Sequence, residues 1–375
     1  MAFHSKEVYS GRHRKRNLLT LVLFAVAVVI VAAVTMFYSF QKYIVYGQNG
    51  ISLELPILQT PAPVDDGGNA LDFEDVNAEL VIDEPDYSEV RATAGEDVAA
   101  LKAIFVPAAS VTEEGIARHK ALMATYGANA LVLEMRPESG QLAYASALAT
   151  ARGFGLSGTT DLGPAVTALK GEGVYLVAQI SCCMDDMLAS RNSSLALQNP
   201  FGGVYTDADG HFWLDPYSAD VRNYVAELAQ ELIDMGFDEI LLKYLEHPNT
   251  DETLLYSQKM SFTPTPLTGV SGFALSVSNA LSGGDAVLSV VLDSVSLHNS
   301  LSAKTGQDPE LFFKVFDRVC CWADSAWQSG IDRDALAPFI TLGDAANRCV
   351  PIMTYAPEGA ASWIIKVPEV VLGDA

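Results

Sequence analysis

FDEILLKYLEHP, residues Phe237 to Pro248, is the stretch that decides the fold. Ile240, Leu241, Leu242 and Leu245 make a near-continuous apolar run, the signature of a strand buried on both faces of a parallel sheet. Lys243, Glu246 and His247 gather at its carboxyl end and Pro248 stops it. Ligands of α/β folds bind outside the carboxyl ends of parallel strands, so these three ionisable groups mark a candidate site. The plainer alternative is a solvated strand-to-loop junction.

Working outward, WLDPYSADVRNYVAELAQELIDMG precedes this strand. Val221, Tyr224, Val225, Leu228, Leu232 and Met235 form a helical stripe, with Gly236 as its stop. Asp215-Pro216 reads as cap and first position. Earlier, Leu101–Ser110, Asn129–Gly140 and Val174–Asp186 read as strands, separated by helices over Thr112–Gly127 and from Asp161 to about Gly171 or Gly173. Later strands are expected over Asp285–Leu297, Phe316–Trp322, Cys349–Pro357 and Ala361–Pro368, with a helix over Gly269–Gly283 and a helical or irregular stretch over 334–348. Asp207-Ala208-Asp209-Gly210 opens like a calcium loop, but Ser218 stands where the closing Glu belongs, so a β-turn is expected. Strands alternating with helices through residues 99–375 predict an α/β fold, a (β/α)8 TIM-type barrel. An open doubly wound sheet is the runner-up, weakened because no GxGxxG or GxxxxGK[ST] motif follows the first strand.

The chain has 375 residues, half of them hydrophobic, and a formal net charge of -23. That balance argues against nucleic acid, whose phosphates need Lys and Arg. Residues 1–17 form a basic tail with Lys6, Arg12, Arg14, Lys15 and Arg16 against one acid, Glu7. Residues 18–40, LLTLVLFAVAVVIVAAVTMFYSF, are long enough to cross ~30 Å of hydrocarbon as a helix. The positive-inside rule leaves the tail cytoplasmic and the C-terminal domain extracellular, on a single-pass signal anchor in the cell membrane. A cleaved signal peptide would have a shorter apolar core and a small-residue cleavage site. Residues 41–98 read as an acidic flexible linker, with thirteen Asp or Glu and one base between Ile51 and Val98. A short edge element around Leu80–Ile82 is the alternative there. The five cysteines, two adjacent pairs and Cys349, make neither a disulfide framework nor a zinc motif. No cofactor or metal is expected.

The central stretch resembles a family of glycoside hydrolases with a (β/α)8 barrel, long known as a domain of unknown function. Trp213, Asp215, Pro216, Tyr217, Gly236, Phe237, Asp238, Glu239, Ile240, Tyr244 and Pro248 carry the resemblance. It extends more weakly through NALVLEMRPESG and GEGVYLVAQIS. The resemblance implies carboxylate acid/base chemistry on polysaccharide or oligosaccharide of the envelope or the extracellular space. The chain departs from the family pattern at its polar centre. Lys243 stands for an Asp and Glu246 for an Arg on the fourth strand. On the second, Glu134 stands for an Asp, Arg136 for a Lys and Pro137 for an acid. Gln179 stands for an Arg on the third. Two alternatives to hydrolysis therefore stay open: a barrel that binds glycan without turnover, and a scaffold of an envelope assembly.

Glycoside hydrolysis needs two carboxyl groups across one bond. Strand ends offer Glu134, Glu138, Asp185, Asp186, Glu246, Asp293, Asp324 and Glu358. Glu246 is expected as one partner and Glu134 as the second, with Asp293 and Glu358 behind. Lys243, Tyr244, His247, Arg136, Trp213, Trp322 and Tyr355 are expected to bind substrate, the aromatics as platforms for sugar rings. An internal Lys–Glu pair filling the exchanged positions is the structural alternative for Lys243 and Glu246.

Overall fold

A computed structural model describes residues 44–47, 50–53, 98–257, 262–292, 304–322, 348–355 and 360–368. Eight parallel strands close into a barrel: β1 Lys102–Val106, β2 Ala130–Arg136, β3 Tyr175–Ser181, β4 Glu239–Lys243, β5 Val287–Leu292, β6 Arg318–Trp322, β7 Cys349–Met353 and β8 Trp363–Ile365. Each pairs with its neighbours in sequence, and β8 closes on β1 through Ile364 opposite Ala103. All eight expected strands are present, and the open doubly wound sheet is excluded by closure.

Alternation along the strands divides the core. Residues such as Phe105, Val132, Val177, Leu241, Val291 and Cys320 fill the barrel interior. Ile104, Leu133, Ile180, Leu242 and Val290 face outward toward the helices. At the amino-terminal end the interior is polar: Glu239 is paired with Arg318 at 3.1 Å, accepts the Tyr175 hydroxyl at 3.0 Å, and accepts the Ser289 hydroxyl. Glu239 and Arg318 are both sealed from solvent. A buried pair of this kind fixes one arrangement more than it adds net stability.

The helices are α1 Glu113–Ala121, α2 Met123–Tyr126, α3 Ala149–Gly153, α4 Gly163–Gly171, α5 Asp186–Arg191, α6 Ala219–Met235, α7 Pro266–Ala280 and α8 Pro309–Val315. The single helix expected over Thr112–Gly127 breaks at Leu122 into α1 and α2, and Gly127 ends the second in the left-handed region at φ 66. In α6, burial of Val221, Tyr224, Val225, Leu228 and Leu232 follows the stripe read from sequence. Removing five such side chains from water is worth roughly 10 kcal/mol before the entropy of ordering is charged against it. Its cap is Ser218, whose hydroxyl accepts from Val221 N–H, not Asp215. Asp215 is committed elsewhere: one oxygen accepts Tyr217 N–H at 2.8 Å, and the other takes both the N–H and the hydroxyl of Ser257 at 2.7 and 2.6 Å. It thus ties the connection after β3 to the connection after β4.

That first connection is laced by antiparallel bridges, among them Met184 with Trp213 and Thr206 with Phe212. Asp207–Gly210 forms the expected turn, closed by Gly210 N–H to Asp207 C=O at 3.1 Å. All five cysteines are buried, and none is in a disulfide.

Ile44–Gly47 and Gly50–Leu53 form a separate two-stranded antiparallel ribbon within the stretch read as linker. Among the described residues no helix is long and apolar enough to cross a membrane. The apolar run 18–40, the stretch Leu80–Ile82 and residues 334–347 lie outside the described residues, as do Asp293, Asp324, Trp327 and Glu358.

Candidate active site

The carboxyl end of β2 builds the site, by way of an irregularity. Glu134 pairs in register with Gln179, but Arg136 pairs with Ile180, so β2 carries one extra residue there. Such a bulge reverses the alternation beyond it. Glu134 points inside and Arg136 points out. The Arg136 guanidinium is fully buried, ion-paired with Asp185, donating to Ser181 C=O, and 5.1 Å from the Tyr224 ring centroid on α6. The expectation that Arg136 meets substrate is corrected by the bulge: no part of it reaches solvent.

Glu134 is 9% exposed. Its Oε2 accepts Ala108 N–H at 3.0 Å, and its Oε1 stands 3.8 Å from Lys243 Nζ. Glu138, on the loop after β2, brings Oε2 to 3.3 Å from the same Nζ. The backbone of that loop is held by α5, where Asp186 and Met187 N–H donate to Glu138 and Ser139 C=O at 3.0 and 3.1 Å. Contacts of 3.8 and 3.3 Å to one atom place these carboxylate oxygens no more than about 7 Å apart.

Lys243, the last residue of β4, is therefore an interior cation bridging two acids of the second β/α unit. Burial pulls its pKa down, but Tyr244, Glu138 and Glu134 together hold it above the ordinary lysine value. Burial pushes Glu138 up, and Lys243 outweighs it, so that carboxyl sits below the usual range and is ionised at neutral pH. The next residue, Tyr244, adopts φ 53, the one positive φ at a non-glycine position among the described residues. Its ring lies 4.5 Å from Lys243 Nζ and packs edge-on against Trp213 at 6.2 Å. Strained backbone of this kind at a strand end is a frequent mark of functional sites.

A second lysine completes the mouth. Lys366 follows β8, and its N–H donates to Met353 C=O at 2.8 Å. Its Nζ stands 4.3 Å from the Phe105 ring centroid and 4.6 Å from that of Trp322. Burial lowers its pKa, Lys243 lowers it further, and Glu134 and Glu138 oppose both. The four charged groups thus share one electrostatic field. Sequence reasoning passed over Lys366, although the rule that selected the other strand ends applies equally to IIKVP. Glu138 was recognised as a candidate and ranked behind Glu246.

Glu246 stands apart from the mouth. It lines a neighbouring cleft of about 560 Å³ with Tyr205, Asp207, Trp213 and Thr305. Lys243, for which a pair with Glu246 was the structural alternative, pairs with Glu134 and Glu138. Trp213 is only 4% exposed, and its indole N–H donates to Asp207 at 2.8 Å. His247 is also buried; desolvation keeps it below the ordinary histidine value and hence neutral, with Nδ1 3.1 Å from Pro248 C=O. Trp322 and Tyr355 are exposed, at 39% and 41%, and are available as platforms. Asp185 caps α5 through Leu188 N–H at 2.7 Å besides holding Arg136, while Asp186 holds His211 at 3.0 Å. Among the described residues no group of three or more His, Cys, Asp or Glu is arranged to hold a metal ion.

Residues 103–355 match a family described as "Putative glycosyl hydrolase domain". The chain belongs to that family. It is a glycosyl hydrolase-like domain on an eight-stranded parallel barrel. Among solved structures, the glycoside hydrolase domain of PgaB (BpsB) from Bordetella bronchiseptica is 14% identical, with a TM-score of 0.49 over 72% of this chain and 95% of that one. A hypothetical protein from Ruminiclostridium thermocellum is 23% identical, with a TM-score of 0.44 over 50% of this chain and 96% of that one. Ega3 from Aspergillus fumigatus, solved in complex with galactosamine, is 10% identical, with a TM-score of 0.41 over 72% and 92%. No curated protein matches the chain.

Proposed function

We propose that this glycosyl hydrolase-like barrel binds and cleaves a polysaccharide at its carboxyl-terminal mouth, with Glu134 and Glu138 as the carboxylate pair. The observation that carries the reading is their convergence on Lys243, which sets both acids beside one point of the mouth. Glu138, ionised at neutral pH, acts as base or nucleophile. Glu134, the deeper of the two, is its partner across the bond. Trp322 and Tyr355 offer apolar faces to the sugar rings. The basic tail and the run 18–40 support a membrane anchor that leaves the barrel outside the cell, facing envelope or extracellular glycan.

One observation favours a second reading, glycan binding without turnover. Lys243 is a cation fixed between both acids, an arrangement that holds charge in place rather than passing a proton. Full-length protein incubated with a panel of envelope and plant oligosaccharides, with products read by mass spectrometry, separates the two. Cleavage lost in both Glu134→Gln and Glu138→Gln and kept in Glu246→Gln is the expected result. Binding without products supports the second reading. Cleavage that survives Glu134→Gln and Glu138→Gln but not Glu246→Gln would move the centre to the neighbouring cleft.

A further inference from the structure

We propose that the mouth selects glycans bearing a carboxylate, uronic-acid chains, and that Lys366 binds that carboxylate; the inference rests on the glycan-binding reading of the same site. The argument starts from how the charges of the mouth are distributed. Lys243 has two acids within 4 Å. Both are turned toward it, and the second oxygen of Glu134 is taken by Ala108 N–H. Lys366 has none: among the described residues its ammonium meets only the faces of Phe105 and Trp322. A partly desolvated ammonium with no counter-ion among the described residues favours an anion, because charge-assisted hydrogen bonds are the strong ones in a water-poor site.

The surroundings specify the anion. Trp322 is 39% exposed and adjoins the ammonium. A sugar ring stacked on the free part of the indole presents its exocyclic C6 group beside that lysine. A single negative charge matches one unpaired ammonium. A group with two charges would be held off by Glu134 and Glu138, which belong to the same field. The chain's net charge of -23 acts at long range and is screened beyond ~8 Å at physiological ionic strength, so it slows arrival more than it alters contact preference.

The test uses full-length protein and isothermal titration with oligogalacturonate and oligoguluronate, each beside its carboxyl-reduced neutral counterpart, and an oligosaccharide phosphomonoester, which carries close to two charges at neutral pH, as a further arm. We expect an acidic chain to bind at least tenfold more tightly than its reduced form. Lys366→Met should bring the acidic chain down to the level of the neutral one, and Lys366→Arg should keep the preference. Thermal unfolding of each variant checks that it is folded, and Lys366→Arg carries the test if Lys366→Met is not. Equal binding of acidic and neutral chains overturns the inference while leaving the glycan-binding reading intact. A preference that survives Lys366→Met, or an equal preference for the phosphorylated chain, also overturns it. Failure of every glycan to bind removes both.

Discussion

Replacing Lys243 by Met is the most informative single perturbation. The Lys243 side chain is 9% exposed, that of Glu134 12%, and that of Glu138 33%. Removing one partner of a fully buried pair costs ~3–5 kcal/mol, and exposed pairs are worth ~0–1. This triad lies between, so a loss of about 2 kcal/mol at pH 7 is expected. A second argument gives a compatible size: two carboxylates no more than about 7 Å apart at an effective dielectric of ~20 repel by at least about 2 kcal/mol once the cation is gone. The sign with pH follows from Glu138. Its folded-state pKa is depressed, so the stability it contributes is present above the ordinary carboxylate value and is lost as pH falls through the depressed one. The variant lacks that contribution, so the gap between wild type and variant should be widest at pH 7 and narrow toward pH 3. Urea unfolding followed by tryptophan fluorescence at several pH values measures the gap directly. Equal stability at pH 7 would refute the electrostatic account. A loss that persists undiminished in acid would assign the effect to packing of the lysine stem instead.

Three further outcomes are expected. Arg318→Met should cost ~3–5 kcal/mol by leaving Glu239 sealed in the barrel floor without its counter-ion, whereas replacing both members with apolar residues should recover most of it; urea midpoints of the single and double variants test this. Gly140→Ala should lower the melting temperature, because φ is 82 there and an added Cβ would fall 2.0 Å from Asp185 Oδ1, displacing the carboxylate that holds Arg136 and caps α5; calorimetry reads the shift. The five thiols should resist a thiol-directed disulfide reagent in the native state and all react in denaturant, since each is buried and burial pushes Cys182 up to about 12; a native-state reaction faster than unfolding would contradict the packing.

Much of the barrel was legible because its strands are apolar on both faces, and such runs stand out without tertiary information. Helix starts were less so. Asp-Pro is a genuine cap signal at Asp308-Pro309, where the Asp308 side chain accepts from Glu310 and Leu311 N–H and opens α8, a helix the sequence reading passed over. The same dipeptide misleads at Asp215-Pro216, because the Asp215 carboxylate is drawn to Ser257, forty-two residues away in sequence. Nothing local distinguishes the two. The site was half visible. Lys243 and Glu134 follow from strand ends, but the preference for Glu246 rests on its closing the strand that carries the family resemblance. Beyond the turn of chain at Tyr244 it lines another cleft. Arg136 is expected at the substrate because it stands for a Lys of the family pattern, and the extra residue in β2 turns it to the helices instead.

That extra residue reaches in two directions. Because Glu134 faces the cavity and Arg136 faces the helices, one short strand supplies both an acid for the mouth and the base that clamps the outer layer through Asp185. If Met135 were instead drawn into regular pairing opposite Ile180, Arg136 would fall on the inward alternation, delivering a guanidinium to the cavity and stranding Asp185. The chemistry of the opening and the integrity of the wall therefore depend together on that one irregularity.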